Sequence, residues 1–237
     1  MQLTVKDVAN LLKVNEKTIY RWLKNGSLPA YQVGDHYRFN RAELLEWVTS
    51  RKINVSVDLF QEPSSNGLVS TYSLFEALTL GGICYRIEGE NKESALKNVV
   101  GFMRLPEEVD RAFLLQVILA REAMASTAIG DGIAIPHVRN PIVLHITDPI
   151  VSLCFLEKPI DFNSLDGEPV SCLFTLISPT VKTHLYLLSR LAYALRDNGF
   201  RSVIKKQGSR EEIFSEIARI ESSLKQNQAP LATGGKS

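Results

Sequence analysis

Cysteine is scarce. The three cysteines, Cys84, Cys154 and Cys172, form neither a zinc-ligand spacing nor a disulfide framework. Cys154 and Cys172 lie in apolar runs, where the residue acts as a small hydrophobe. That usage fits a reducing cytoplasm. Long apolar runs are absent too. No stretch approaches the ~20 residues needed to cross a bilayer. The first residues carry Lys6 and Asp7 without an apolar segment, so neither membrane insertion nor a signal peptide is expected. Net charge is nearly absent at +1, yet unevenly spread. Residues 1–54 hold nine Lys and Arg against five Asp and Glu, and the remainder 18 against 21. A small basic module favours a polyanionic partner. Metal-hydrolase and serine-hydrolase signatures are missing as well: no HExxH helix and no nucleophile-elbow glycine pattern. No metal or cofactor is expected.

What is present is enough apolar sequence, 45% of 237 residues, to bury one or two cores. The first module opens on Thr4, a helix N-cap with Asp7 three residues on as an approximate capping box. Val8, Ala9 and Leu12 share one face of that helix. Asn15 can cap a second helix from Glu16 to about Asn25, closed by Gly26, with Ile19, Trp22 and Leu23 inward. Residues 30–39 read as a hairpin turning at Gly34-Asp35, and Asn40 caps a third helix ending near Ser50. Helix, turn, helix, wing, helix is a winged helix-turn-helix. The run Leu3-Thr4-Val5…Val8-Ala9…Leu12…Thr18-Ile19-Tyr20-Arg21-Trp22, with Leu28-Pro29-Ala30…Tyr37-Arg38-Phe39, resembles the excisionase/MerR-type DNA-binding domain. In such a domain Thr18 and Arg21 face the major groove, Lys17 and Lys24 meet phosphates, Tyr20 lies at the edge, and Arg38 and Gln32 of the wing reach backbone or minor groove. A helix-turn-helix used only for protein contacts is the alternative. So small a positive charge suits a dimer on paired half-sites better than a lone monomer.

Residues 55–70 read as a linker around Pro63-Ser64-Ser65-Asn66-Gly67, and 225–237 as a disordered tail. Between them, 71–224 alternate helices with apolar strands. Helices are expected at 73–80, 92–101, from Pro106 with Glu107 and Glu108 in its first turn, at 183–196 and at 211–223. Along the long helix Val109, Phe113, Val117 and Ala120 recur at helical spacing. Strands are expected at 84–87, 133–135, 150–155, 160–162 and 170–178. The fold class is α/β, a mixed sheet flanked by helices on both sides, behind the small N-terminal domain.

Within it stands Ser126-Thr127-Ala128-Ile129-Gly130-Asp131-Gly132-Ile133-Ala134-Ile135-Pro136-His137. This reads as a glycine-punctuated loop, a short buried strand, and a proline that ends the strand and leaves His137 at its rim. A neutral imidazole so placed is a nucleophile near pH 7. The segment resembles the active site of the IIA components of the bacterial phosphoenolpyruvate-dependent phosphotransferase system, mannitol/fructose and nitrogen-regulatory branches, and the likeness spans roughly residues 70–223. It implies that His137 takes phosphate from HPr or a paralogue, that Arg121 stands beside it, and that His184 steadies the phosphoryl group. Arg121 also reads as a helix C-terminal cation, and His184 as a capping or surface histidine. Asp131 can orient an imidazole or be an exposed turn residue. His145 and His36 read as structural or solvated. The glycine that transport-type relatives carry after the histidine is Val138 here, followed by Arg139, which can add a third phosphoryl ligand or face solvent. That departure weighs against sugar transport.

The reading that follows is a regulator that accepts phosphate on His137 and couples it to DNA binding. A IIA component relaying phosphate to a sugar permease, its N-terminal module serving assembly only, is the alternative. A scaffold with neither site active is a third reading, favoured by an occluded His137.

Overall fold

The computed structural model describes residues 2–33, 36–50, 72–138 and 146–226. The expected boundaries at 54/55 and 70/71, the Gly34-Asp35 turn, and Arg139 and His145 lie outside them, as do residues 227–237 of the expected tail.

The N-terminal unit is built on its caps. Thr4 and Asp7 form a full capping box, Asp7 N–H donating to the Thr4 hydroxyl (3.2 Å) and Thr4 N–H to the Asp7 carboxylate (2.8 Å). They start α1 (Val5–Leu11). Asn15 caps α2 (Glu16–Lys24) by accepting from Lys17 N–H at 3.0 Å. Gly26, at φ +62°, then turns the chain in the left-handed conformation that glycine tolerates. β2 (Tyr31–Val33) and β3 (His36–Asn40) pair antiparallel with Val33 opposite His36, so two residues connect them. β1 (Gln2–Leu3), not anticipated from the sequence, adds to the outer side of β3. Two residues are too few for a period to be read. α3 (Arg41–Ser50) follows directly. Val8, Leu12, Ile19, Phe39 and Leu44 form the small core.

The second unit is a five-stranded mixed sheet ordered β4-β7-β8-β6-β5. Its elements run α4 (Leu74–Gly81), β4 (Ile83–Ile87), α5 (Lys92–Phe102), α6 (Arg111–Met124), β5 (Ala128–Gly130), β6 (Ile133–Ala134), β7 (Ile150–Ile160), β8 (Val170–Ile177), α7 (Val181–Ala194), α8 (Asn198–Lys205) and α9 (Arg210–Gln226). The β4/β7 and β6/β8 pairs are parallel, the β7/β8 and β5/β6 pairs antiparallel. Central β7 and β8 are buried on both faces. Val151, Leu153, Phe155 and Phe174 meet α4, α7, α8 and α9; Ile150, Cys154, Leu173 and Ile177 meet α5 and α6. All three cysteines are free.

Several expectations shift. The long helix starts at Arg111, not Pro106, because the Asp110 carboxylate accepts from the Ala112 and Phe113 amides (2.8 and 3.0 Å) and so is the N-cap. Glu107 and Glu108 therefore precede the helix. Its buried stripe is Leu114, Ile118, Arg121 and Glu122, while Phe113 is 41% exposed and Ala120 faces solvent. Of the expected strand at 160–162 only Ile160 is in a strand, as the last residue of β7, and α8 was not anticipated. α7 is capped by Thr180, whose hydroxyl accepts from Thr183 N–H (3.1 Å), three residues earlier than expected.

The two units touch. α3 packs on α7 and β5, and Ala192, with Leu185 and Tyr193, joins the N-terminal cluster.

Candidate active site

The decisive residue hangs on a chain of backbone hydrogen bonds. Buried Glu122, in the last turn of α6, accepts from Thr127 N–H through its carboxylate at 3.0 Å and from Lys92 Nζ at 3.0 Å. An acid there opposes the helix dipole, so it needs such partners. Thr127 O accepts from Ile135 N–H (3.0 Å), and Pro136 O from Leu176 N–H (3.0 Å), which laces the segment past β6 to its neighbours. Ile135 O then meets His137 Nδ1 at 2.7 Å. A carbonyl only accepts, so Nδ1 carries the proton and the in-plane lone pair belongs to Nε2. The hydrogen bond thus selects the tautomer with a nucleophilic Nε2.

His137 bridges Leu176 of β8 in the parallel sense. The His184 ring, from the first turns of α7, lies with its centroid 5.2 Å from that of His137 and tilted 38°. His184 N–H is already bonded to Thr180 O (2.9 Å), so the ring, not its amide, faces the site. Arg121 lines the same cavity of about 430 Å³ as His137, with Thr127, Ile135 and Leu188. Its Nη1 donates to Ala125 O at 2.8 Å, capping its own helix. The two sequence readings of Arg121, helix cation and site cation, are therefore compatible. The open rim is not what the structure has: His137 is only 3% exposed. Ser27, Pro29, Glu43 and Trp47 of the N-terminal unit line the same cavity, and an occluded His137 is the arrangement that the scaffold reading expects.

Asp131 is placed elsewhere. It sits in the β5–β6 turn, at the end of β6 away from His137, its N–H bonded to Asp166 (2.8 Å) and its carboxylate paired with Arg201. Val138, the residue after His137, is buried in the cluster that includes the α5 and α6 side chains.

Residues 77–220 match the family described as "Phosphoenolpyruvate-dependent sugar phosphotransferase system, EIIA 2". The chain belongs to that family. Residues 3–52 match a "Helix-turn-helix domain", so a IIA unit follows a helix-turn-helix unit in one chain. The nitrogen regulatory protein of Pseudomonas aeruginosa is 32% identical over 152 residues, 62% of this chain and 96% of that protein. That of Escherichia coli is 34% identical over 139 residues, covering 57% and 83%. Among solved structures, the nitrogen regulatory protein IIA-Ntr from Neisseria meningitidis matches with a TM-score of 0.50 at 27% identity, covering 57% of this chain and 92% of that one. In the IIA unit, Glu122 and Lys92 are the supporting residues that sequence reasoning did not single out. The readable signal was an acid in the last turn of a helix.

On the helix-turn-helix unit, Lys17, Tyr20, Arg21 and Lys24 are exposed along α2, with Thr18 half-buried among them. Tyr20 meets Tyr37 of β3 edge-on at 6.3 Å, tying α2 to the wing. Arg38 donates to Tyr37 O at 3.2 Å. Among the described residues, no helix is long and apolar enough to cross a membrane, and no cluster of His, Cys, Asp and Glu could hold a metal.

Proposed function

We propose that this IIA protein accepts a phosphoryl group on His137 Nε2 from a phosphohistidine carrier of the HPr type and couples that event to DNA binding by its N-terminal unit. The observation that carries the reading is the 2.7 Å contact from His137 Nδ1 to Ile135 O, with the His184 ring and Arg121 around it. The Nε2 lone pair attacks phosphorus as the P–N bond to the carrier's imidazole breaks. The product ring is an N-phosphorylated imidazolium, and the Ile135 carbonyl that already accepts from Nδ1–H stabilises its charge. Arg121, with its planar donor fork, and the His184 ring are the groups positioned to hold phosphoryl oxygens. Asp131 has no part in this reading. The relatives named as nitrogen regulatory proteins support a regulatory role over sugar transport, as does Val138 in place of glycine. DNA contacts fall to Lys17, Thr18, Tyr20, Arg21 and Arg38, with a dimer on paired half-sites as the binding form.

The test is incubation with phosphoenolpyruvate and the general phosphotransferase proteins, followed by intact-mass measurement. One acid-labile phosphoryl group is expected on the wild-type chain and none on His137→Ala. Arg121→Lys, which keeps the charge but loses the fork, is expected to accept it more slowly. Absence of any gain with every carrier tried overturns the reading.

A further inference from the structure

Buried His137 lies in a cavity that the helix-turn-helix unit helps to line. Glu43 and Trp47 project from α3 into the cavity that holds His137 and Arg121. Trp47 is fixed there by its indole N–H donating to Ser27 O, and Glu43 by accepting from the Tyr31 hydroxyl. The contact continues along α7, where Leu185, Ala192 and Tyr193 pack into the same cluster as Leu44 and Val48 of α3. Two chemical requirements conflict with this arrangement. A carrier must bring its phosphorus within about 3–3.5 Å of Nε2 before the new bond can form, and a protein domain cannot enter through a cavity of about 430 Å³. Once formed, the phosphohistidine carries roughly −1.5 to −2 charges, and it stands in a cavity that Glu43 also lines.

We propose that the helix-turn-helix unit is an intramolecular competitor of the phosphocarrier: it docks through α3 over unphosphorylated His137, and a phosphoryl group on Nε2 expels it by repulsion from Glu43. This rests on the phosphoacceptor reading of His137. The antagonism is reciprocal, because a modification that weakens docking is itself disfavoured by docking. The fraction of chains with the unit released sets the apparent affinity for the carrier. The same residue therefore serves twice, sharing the cavity with Arg121 before phosphorylation and turning against the phosphoryl group when it arrives.

The sequence supplies a probe, since its two tryptophans, Trp22 and Trp47, are both in the N-terminal unit. In a full-length Trp22→Phe chain, Trp47 alone reports docking through acrylamide quenching. Leu185→Glu, which places a charge on the α7 face under α3, supplies the undocked reference. Glu43→Gln removes only the repulsive charge and tests the mechanism without depending on how Leu185→Glu folds. We expect quenching of Trp47 to rise several-fold in the phosphorylated, re-isolated chain, to reach the Leu185→Glu value, and to rise less in Glu43→Gln. We also expect Leu185→Glu to need on the order of tenfold less carrier for half-maximal phosphorylation. Unchanged quenching on phosphorylation overturns the proposal, as does equal carrier dependence of the two chains. Intact mass in the same samples separates the two readings. If no form takes up phosphate, the phosphoacceptor reading fails and the antagonism falls with it; if phosphate is taken up and quenching stays at the unphosphorylated value, the antagonism alone fails.

Discussion

Glu122 is the residue on which the site's geometry depends without being part of its chemistry. Its carboxylate is nearly fully buried, holds the Thr127 amide and hydroxyl, and receives the Lys92 ammonium. From it, bonds pass through Thr127 and Ile135 to the His137 ring. Removing one partner of such a pair leaves the other poorly solvated, so Glu122→Ala is expected to cost about 3–5 kcal/mol. Glu122→Gln, which retains an acceptor for Thr127 and loses only the charge facing Lys92, is expected to cost about 1–3 kcal/mol. Urea midpoints measure both. The Gln variant should still take phosphate on His137, more slowly than wild type, because the imidazole keeps its carbonyl partner while the segment behind it loosens. Equal midpoints for wild type and Glu122→Ala would mean that Lys92 and Thr127 find other partners.

At the scale of elements, legibility follows how local each determinant is. The caps at Thr4 and Asn15 were readable because a capping side chain and its amide lie within three residues of each other. The long helix was misplaced by five residues because Pro106-Glu107-Glu108 carries every sign of a first turn, while Asp110 offers a better cap just beyond. β5 went unread because Gly130 and Gly132 suggested a loop. Yet Asp131 and Gly132, at φ +55° and +74°, form the two-residue turn that Asp-Gly favours, and the strands either side pair across it. At the site, His137 stood out through a contiguous motif, whereas Arg121 and His184 came only from the family resemblance. The wall built by Glu43 and Trp47 was not legible, since it depends on how two units meet, which no local pattern encodes. The capping box also carries a pH signature. Hydrogen bonds from the Thr4 hydroxyl and amide hold the Asp7 carboxyl below the ordinary aspartate value, which is about 3.9. A lowered folded value means the stabilisation is complete above the unfolded value and disappears as pH falls through the folded one. Trp22 and Trp47 fluorescence should therefore show the N-terminal unit weakening below about pH 4, and Asp7→Asn should be less stable at neutral pH with a shallower acid limb. An acid limb as steep in the variant as in wild type would place the effect on other carboxylates.

For the whole molecule, the helix that packs on the IIA unit and the helix proposed to read DNA are different ones. α3 faces the IIA unit, whereas Lys17, Arg21 and Lys24 of α2 stay exposed in the docked form. Covering α3 does not cover the groove-reading face. A phosphoryl signal would then act on how two such units are presented to paired half-sites, and much less on the affinity of one unit for phosphates. The electrostatic part of binding is separable from that effect. Each phosphate neutralised contributes about −0.9 to the slope of log affinity against log salt. Fluorescence anisotropy with a mixed-sequence duplex between about 50 and 200 mM salt should show a slope that Lys17→Ala and Lys24→Ala each reduce by about 1. Arg21→Ala should instead lose discrimination between a selected operator and mixed sequence, by about 1–3 kcal/mol if Arg21 reads a base pair directly. In mixed sequence, phosphorylation should leave the slope unchanged, because the released unit presents the same Lys17, Arg21 and Lys24. A slope indifferent to Lys17 and Lys24 would move the DNA surface off α2, and would favour the reading in which this unit serves only to cover His137.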